Sequence, residues 1–421
     1  MRNSRASATA PLRTAPAPGL AAPPRRLKQK AMRALILALA VLPAPAVAQD
    51  AAFETCVRTT LRPGALGAGI APASVDAAFA GLLPDREVQR LQTHQPEFRT
   101  PVWEYLAFLV DDERIAEGRV QLARHSAVLG EIERRYGVDR HTVVAVWGVE
   151  SNFGQTLGKR PLVQSLATLG CFGRRAEYFR GELNATLRIL QRGDIAPALL
   201  TGSWAGAFGQ TQFMPSTWAR LAVDQDGDGR RDIVTSVPDA LASTANFLAD
   251  AGWRTGTPWG LEVIAPGVAA TGRWRSGRCA EWAARGVRRA DGAPLAGETR
   301  AGLIKPAGET GPAFLVTRNF GAVYSYNASQ SYGLAIAHLS DRLRGGGPFR
   351  QSWPWADRPL SRAERRELQS LLIARGFDIG AADGFIGERT RAALRNYQTR
   401  AGLPATGEAG GRTLEALRAG R

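Results

Sequence analysis

The residue best suited to acid–base chemistry lies at the end of an apolar stretch. Residues 143–154 read VVAVWGVESNFG, and Glu150 follows a run of Val, Ala and Trp. Asp139 can cap a helix through this run, and residues 152–154 can end it. Burial and the negative end of a helix dipole both disfavour a carboxylate, so this position predicts a raised pKa for Glu150. A carboxyl group that stays protonated near neutral pH can act as a general acid on a glycosidic bond.

Glu150 has no second carboxylate beside it in the motif segments. Enzymes that hydrolyse glycosidic bonds usually use two carboxylates. One carboxyl group can suffice only if the substrate supplies the remaining groups. The alternative is a structural glutamate that pairs with Arg174 or Arg175.

A second segment, residues 202–218, has the composition of a loop that lies close to another surface. It reads GSWAGAFGQTQFMPSTW and is dense in Gly, Ala and Ser. Its hydrogen-bonding side chains suited to sugar hydroxyl and acetamide groups are Ser203, Gln210 and Gln212. The aromatic side chains that could stack on sugar rings are Trp204, Phe208 and Phe213. The alternative is a loop that only packs tightly on a neighbouring helix.

Together the two segments resemble the lytic murein transglycosylases of the B type, which are lysozyme-like enzymes. The similarity continues through residues 174–179 (RRAEYF), 224–229 (DQDGDG) and 326–336, and it covers Cys56 to Leu343. The resemblance implies a mainly α, lysozyme-like catalytic domain in which Glu150 is the sole catalytic carboxylate. It also implies a glycan groove lined by Ser203, Gln212, Tyr326, Asn327, Tyr332 and Tyr105.

The resemblance further implies a reaction and a substrate. The enzyme would cleave the β-1,4 bond between N-acetylmuramic acid and N-acetylglucosamine in peptidoglycan glycan strands. The product would carry 1,6-anhydro-N-acetylmuramic acid, and the chemistry would need no cofactor. Two other functions are weighed against this one. A true muramidase would release a reducing sugar, and a catalytically silent wall-binding or scaffolding protein would cleave nothing.

An acidic segment after the glycine-rich loop resembles the opening of a calcium-binding loop. Carboxylates at alternating positions can converge on a hard cation while Gly227 and Gly229 let the backbone turn. The candidate ligands of a structural calcium ion are Asp224, Asp226, Asp228, Asp232 and Asp239. No Glu stands at the twelfth position of the loop, where Thr235 lies. The alternative is a solvated turn whose aspartates pair with Arg230 or Arg231 and cap the following helix.

The elements that must position these residues are mostly helices. Apolar residues return every three or four positions in 116–136, 140–150, 175–191 and 237–251, which predicts four amphipathic helices. Residues 256–314 are rich in Gly, Pro and Thr, and predict a small insertion with β-structure. We expect a catalytic domain over residues 49–344. Residues 345–359 predict an inter-domain linker, flexible at Gly345–Gly347 and stiff around the Trp-Pro-Trp segment.

Residues 360–421 predict a separate unit of three short amphipathic helices. Its DGFIGERT, YQ, GL and TGEAGGRTLEAL elements resemble, in order and spacing, the common peptidoglycan-binding domain of wall hydrolases. The resemblance implies a non-catalytic domain that tethers the enzyme to glycan strands and raises the local substrate concentration. The alternative is a three-helix spacer.

Composition and charge limit the classes of binding partner that suit this protein. Residues 1–48 contain eight basic residues and no acidic one, and the remainder holds 46 basic against 38 acidic residues. This moderate excess of positive charge suits an anionic polymer as partner. The sequence lacks the basic stripe interleaved with aromatic residues that would indicate nucleic-acid binding. No stretch has the length of a transmembrane helix. We expect a monomer.

The N-terminal segment predicts export. Met32 and Arg33 precede the apolar run 34–41, and Ala46-Val47-Ala48 has small residues where a signal peptidase cuts. We therefore expect a signal peptide that starts at Met32, cleavage after Ala48, and a periplasmic protein. The three cysteines, Cys56, Cys171 and Cys279, permit one disulfide, and the sequence does not choose the pair.

Overall fold

The computed structural model describes residues 45–92, 100–272, 274 and 276–420. The predicted signal peptide lies outside these residues up to Ala44, and its remaining four residues begin the first helix. Across the described part of the chain, no helix combines the length and apolarity that a membrane crossing needs.

Helices dominate the described residues, as the sequence predicts. Those before the insertion are α1 Pro45–Cys56, α2 Arg62–Gly67, α3 Pro72–Phe79, α4 Arg86–Leu91, α5 Val102–Leu109, α6 Asp112–Arg124, α7 Ser126–Tyr136, α8 Arg140–Ser151, α9 Leu162–Phe172, α10 Ala176–Arg192, α11 Pro215–Leu221 and α12 Val237–Asp250. A π-helical turn, Val57–Leu61, joins α1 to α2, and Pro197–Leu199 is a 3₁₀ turn. Two short strands, β1 Arg160–Pro161 and β2 Thr201–Gly202, pair antiparallel.

The predicted insertion is built on a small antiparallel sheet. Its strands are β3 Gly260–Ile264, β4 Gly277–Arg278, β5 Arg288–Arg289, β6 Arg300–Ile304 and β7 Ala313–Val316, in the order β4-β6-β7-β3-β5, with a short helix α13 Cys279–Ala284 and a 3₁₀ turn Gly308–Thr310. In the central pair, Gly260 lies opposite Val316 and Val263 opposite Ala313. The sheet has its own apolar core around Trp282 and Leu303. Helices α14 Arg318–Asn327 and α15 Gln330–Leu343 then return the chain to the helical region.

Two apolar clusters form the core of the helical region. One joins α9, α10 and α11, and the other joins α7, α8, α12 and α15. A disulfide between Cys56 and Cys171 ties α1 to α9, while Cys279 is a buried free thiol. Cross-linking residues this far apart in sequence restricts the unfolded chain, which stabilises the folded state.

The segment 116–136, predicted as one helix, is two helices. His125 leaves the helical conformation with φ −104° and ψ 21°, so α6 ends at Arg124 and α7 begins at Ser126. The break lets α6 pack on α8 and α15 while α7 packs on α12. The apolar period hides this break because α7 begins immediately after it.

The C-terminal unit contains α16 Arg362–Ala374, α17 Glu388–Arg400 and α18 Gly411–Arg418 around one apolar core. Part of the predicted linker before this unit packs against the catalytic region. The ring of Phe349 lies 4.8 Å from that of Phe314 and 4.0 Å from that of His338. The backbone amides of Arg350 and Gln351 both donate to the carboxylate of Glu262. Aromatic side chains and Glu262 thus fasten residues 349–351 to the insertion and to α15. The flexibility of Gly345–Gly347 stays a prediction.

Candidate active site

The site is organised by helix α8, which carries Glu150 near its C-terminal end. The Asp139 carboxylate caps the helix by accepting from the Thr142 amide at 3.1 Å. Residues 142–148 are all buried, so the helix runs through the core. Asn152 ends it in the left-handed conformation, with φ 51°. Glu150 thus stands where a buried helix emerges, and its side chain keeps part of its surface exposed.

The carboxyl group of Glu150 has one tyrosine partner. The hydroxyl of Tyr332 on α15 donates to its Oε1 atom. Burial raises the pKa of Glu150 to about 7, against the smaller opposing effect of the Tyr332 hydrogen bond. No basic side chain of the described residues pairs with Glu150, and the Arg175 guanidinium lies over the ring of Tyr178 instead. The alternative of a structural ion pair with Arg174 or Arg175 therefore receives no support.

Tyr332 belongs to a group of tyrosines beside Glu150. Its ring is 2% exposed and stacks on that of Tyr326 with centroids 6.2 Å apart. Burial raises the pKa of both phenols well above 10, so both remain protonated donors at neutral pH. Tyr105 on α5 lies close enough to act electrostatically on Tyr332. The fourth predicted groove residue from this side, Asn327, is exposed at the end of α14.

The glycine-rich segment 202–218 is fastened to the tyrosines and to α8. The Tyr326 hydroxyl donates to the carbonyl of Thr211 at 2.7 Å. The Ser151 hydroxyl donates to the carbonyl of Gln210 and accepts from the Gly154 amide. Ser151 therefore joins the end of the Glu150 helix to the loop. Ser151 was not predicted as a site residue, although its position next to Glu150 was the available signal.

Two predicted groove residues hold the loop's own turns. The Ser203 hydroxyl accepts from the Ala207 amide at 3.0 Å. Gln212 has φ 51°, and its side-chain amide donates to the carbonyl of Gly209 at 2.8 Å and of Leu157 at 3.3 Å. Both side chains are partly exposed. Close approach demands glycine at Gly158, where φ is +86° and an added Cβ would lie 2.2 Å from the Gly202 backbone.

Three of the six side chains predicted to contact sugar do not face a groove. Phe208 is fully buried, and Phe213 is 2% exposed and packs on Phe247 and Tyr326. Gln210 is 5% exposed and its amide donates to the Val234 carbonyl. Their predicted sugar contacts were wrong, because the small residues of the loop let these larger ones turn inward. Trp204 remains partly accessible while packing against the same core.

The structure brings three of the five acidic loop residues together. Carboxylate oxygens of Asp224, Asp226 and Asp239 all lie within 4.8 Å of one another. Asp228 instead pairs with Arg230 at 2.7 Å, and Asp232 accepts from the amides of Val234 and Thr235. Those two aspartates thus follow the alternative of pairing with arginine and capping a turn.

The three converging carboxylates have the chemistry of a hard-cation site. Burial raises the pKa of Asp239, which accepts from the amides of Gln225 and Asp232. Asp224 accepts from the amides of Gly227 and Gly229. An all-oxygen donor set of this kind fits calcium better than a softer metal. The described residues therefore fit a calcium ion held by Asp224, Asp226 and Asp239.

Two protein families together match most of the chain. The transglycosylase SLT domain family matches residues 52–341, and a peptidoglycan binding domain family matches residues 361–417. The chain is 31% identical over 267 residues to the membrane-bound lytic murein transglycosylase B of Escherichia coli (strain K12). That alignment covers 62% of this chain and 73% of the relative.

Solved structures agree with this result. The structure of SltB3 from Pseudomonas aeruginosa in complex with NAG-anhNAM-pentapeptide is 46% identical and has a TM-score of 0.69, covering 87% of this chain and 99% of that one. The Escherichia coli lytic transglycosylase Slt35 in complex with calcium is 27% identical with a TM-score of 0.58, covering 72% and 93%. The chain therefore belongs to the transglycosylase SLT domain family and is a lytic transglycosylase of the B type with a C-terminal peptidoglycan-binding domain.

Proposed function

We propose that this enzyme cleaves the β-1,4 bond between N-acetylmuramic acid and N-acetylglucosamine and forms a 1,6-anhydro ring, with Glu150 as both acid and base. The observation that carries the proposal is the pKa of Glu150, raised to about 7 by burial. Near neutral pH such a group is present in both protonation states, which suits a residue that first donates and then accepts a proton.

In the first step, protonated Glu150 donates to the glycosidic oxygen as the bond to the anomeric carbon breaks. Because Tyr332 donates to Oε1, Oε2 is the atom free to carry the acid proton. The N-acetyl oxygen of the muramic acid sugar stabilises the positive charge that develops on the anomeric carbon. In the second step, the Glu150 carboxylate accepts the proton of the 6-hydroxyl, and O6 bonds to the anomeric carbon. No water is consumed.

The surroundings of Glu150 favour this route over hydrolysis. A hydrolytic glycosidase usually places a second carboxylate as base or nucleophile. Among the described residues, no other carboxylate acts electrostatically on Glu150. The neighbouring groups are phenols, amides and hydroxyls. We propose that Ser203, Gln212, Tyr326, Asn327, Tyr332 and Tyr105 line the glycan groove, as their positions around α8 support.

A structural calcium ion is part of the proposal. Asp224, Asp226 and Asp239 would hold it, whereas Asp228 pairs with Arg230 and lies outside this cluster. The ion would offset the mutual repulsion of three clustered carboxylates. Its role would be structural, because the loop adjoins the glycine-rich segment through the backbone bond from Gln210 to Ile233.

We also propose the cellular setting and the division of the chain. Export to the periplasm, with cleavage after Ala48, would bring a monomeric enzyme to its glycan substrate. The catalytic domain would span residues 49–344 and the binding domain residues 360–421, joined by residues 345–359. The binding domain supplies attachment to glycan strands in addition to the groove.

Mass spectrometry of products from purified peptidoglycan tests the reaction. The expected products are muropeptides that end in 1,6-anhydro-N-acetylmuramic acid and are lighter by one water than hydrolysis products. Reducing ends alone would assign a muramidase. Binding to sacculi without any product would assign a silent wall-binding protein.

A further inference from the structure

The C-terminal unit contacts the catalytic region through a charged interface at the start of α16. Arg362, the first residue of that helix, has a side chain only 9% exposed. Its backbone amide donates to Asp111 at 3.1 Å, and its guanidinium pairs with Glu113 at 3.1 Å and Glu117 at 3.4 Å. The interface between the two parts of the chain therefore places a nearly buried guanidinium among three carboxylates.

The same guanidinium reaches the end of the catalytic helix. Arg362 Nη1 donates to the Asn152 Oδ1 atom at 2.5 Å. Asn152 is the residue that terminates α8, two positions after Glu150. A second guanidinium, from Arg114 on α6, donates to the same oxygen at 3.3 Å. The turn after Glu150 is therefore held by one arginine from each part of the chain.

This turn has a conformation that needs support. Asn152 and Phe153 both have positive φ, 51° and 57°, and neither is glycine. Asparagine adopts the left-handed conformation more readily than most residues, but for the phenylalanine it is strained and persists only when the surroundings fix it. The Phe153 ring packs edge-on against Trp147 with centroids 5.6 Å apart. Arg362 and Arg114 fix the Asn152 side chain, and its amide donates to Gln155 at 2.8 Å.

The two arginines also depend on each other's acidic partners. Arg114 is 4% exposed, and burial, followed by the nearby charge of Arg362, lowers its pKa to about 10. Asp111 and the glutamates of α6 offset this repulsion. Two guanidinium groups thus lie close together, and both donate to one asparagine oxygen, which has two acceptor lone pairs. A merely adhesive interface would not need that convergence.

Neighbouring arginines show what simple adhesion looks like here. Arg366 pairs with Glu113 at 2.7 Å, and its side chain is 34% exposed. Arg365 lies over the Phe108 ring at 5.0 Å. Both hold α16 against the catalytic region, but neither bonds to Asn152. Arg366 is therefore a matched control for Arg362.

We propose that Arg362 is a positioning residue for catalysis: the binding domain reaches into the catalytic region and fixes the turn that orients Glu150. The proposal rests on the proposed role of Glu150. It assigns the C-terminal unit a second task besides attachment to the wall.

The test compares full-length Arg362→Gln, Arg362→Lys and Arg366→Gln on short soluble glycan fragments and on sacculi. For Arg362→Gln we expect kcat to fall about tenfold or more, since small misplacements of a catalytic group carry large costs. KM and retention on sacculi should stay within about twofold of wild type, because the substitution disturbs the orientation of Glu150 and not substrate binding. Lysine keeps the charge but lacks the guanidinium fork, so Arg362→Lys should also lose kcat. Arg366→Gln should keep it.

Asn152→Gly provides a route independent of the interface. Glycine accepts the positive φ but offers no oxygen to Arg362. Its kcat should fall similarly, and combining it with Arg362→Gln should add little further loss. Unchanged kcat in Arg362→Gln, equal losses in Arg366→Gln, or additive losses in the double variant would overturn the proposal. Failure of the proposed function would appear separately, as activity retained by Glu150→Gln.

Discussion

Two carboxylate sites in the same helical region use one functional group for opposite purposes. Glu150 stands alone at the end of an apolar helix, with Tyr332 as its hydrogen-bond partner and a pKa raised to about 7. The acidic loop gathers Asp224, Asp226 and Asp239, and backbone amides donate to them. An apolar setting raises the pKa of an isolated carboxyl group, so that it can donate and accept a proton near neutral pH. Several carboxylates held together by backbone amides can instead bind a cation. Surroundings, rather than residue type, assign the task.

The largest expected effect is the loss of activity when Glu150 is replaced. Glu150→Gln keeps the shape of the side chain but has no proton to donate, so we expect a loss of activity on the order of 100-fold or more. Turnover of purified sacculi measures it. Glu298→Gln, on an exposed glutamate of the insertion, is the control and should keep full activity. Near-wild-type turnover by Glu150→Gln would exclude the proposed mechanism.

A smaller effect should follow from removing the tyrosine partner. The Tyr332 hydrogen bond lowers the pKa of Glu150, so Tyr332→Phe should raise that pKa further. The acid step needs protonated Glu150, so kcat/KM should fall as pH rises through the pKa of Glu150. In the variant this fall should occur at a higher pH than in wild type. We also expect about tenfold lower activity from the lost orientation.

A pH–rate profile of short glycan cleavage measures the shift caused by Tyr332→Phe. The partly exposed Tyr178 provides the control Tyr178→Phe, whose profile should match that of wild type. A falling limb that stays in place, or moves to lower pH, would contradict the assignment of Tyr332.

The raised pKa of Glu150 also has a stability consequence. A carboxyl whose pKa is higher in the folded than in the unfolded state favours folding below the unfolded value, and this contribution is lost as pH rises through the folded value. For Glu150 the window runs from about pH 4.5 to about 7, and the shift corresponds to at most about 3.5 kcal/mol. Glu150→Gln should therefore gain stability relative to wild type as pH rises through this window.

Thermal unfolding of both proteins at pH 4 and pH 8 measures that difference. We compare the unfolding temperature of the variant with that of wild type at each pH. This difference should be several degrees more favourable to the variant at pH 8 than at pH 4. An identical offset at both pH values would mean that Glu150 is not buried as a neutral acid.

The smallest expected effect is the stabilisation of the folded state by calcium at the acidic loop. Calcium bound only by the folded state should stabilise it by about 1.4 kcal/mol when free calcium is about tenfold above its Kd. Asp226→Ala should remove the increment in the thermal midpoint. Asp228→Ala should retain it, because Asp228 pairs with Arg230. If chelator-treated protein shows no response to calcium, the loop is a solvated turn.

The sequence located both carboxylate sites and the main elements. The apolar run before Glu150 and the cap at Asp139 predicted α8 to within one residue of its observed end at Ser151. The helical class, the β-structure of the insertion and the C-terminal helical unit were also predicted, since each has a local signature in periodicity or composition. The break at His125 was missed, because a change of helix direction leaves the apolar period intact.

What faces the groove could not be read from the loop. Phe208 and Phe213 have the same residue type as sugar-stacking rings, but the fold turns both into the core. Likewise the convergence of Asp224 with Asp239 depends on how α12 packs beside the loop. Direction of a side chain is set by contacts between distant segments, for which a single sequence has no local signal.

The chemical groups available to this protein are evident from local sequence: one carboxyl at the end of an apolar helix, an acidic loop, and a C-terminal unit with its own core. Which of these groups meet depends on the packing of distant segments. This packing paired Cys56 with Cys171, set Tyr332 against Glu150, and brought Arg362 to Asn152 from 210 positions away. Local patterns specify helices because hydrogen bonds and apolar periods are short-range, whereas such meetings arise from packing across the whole chain.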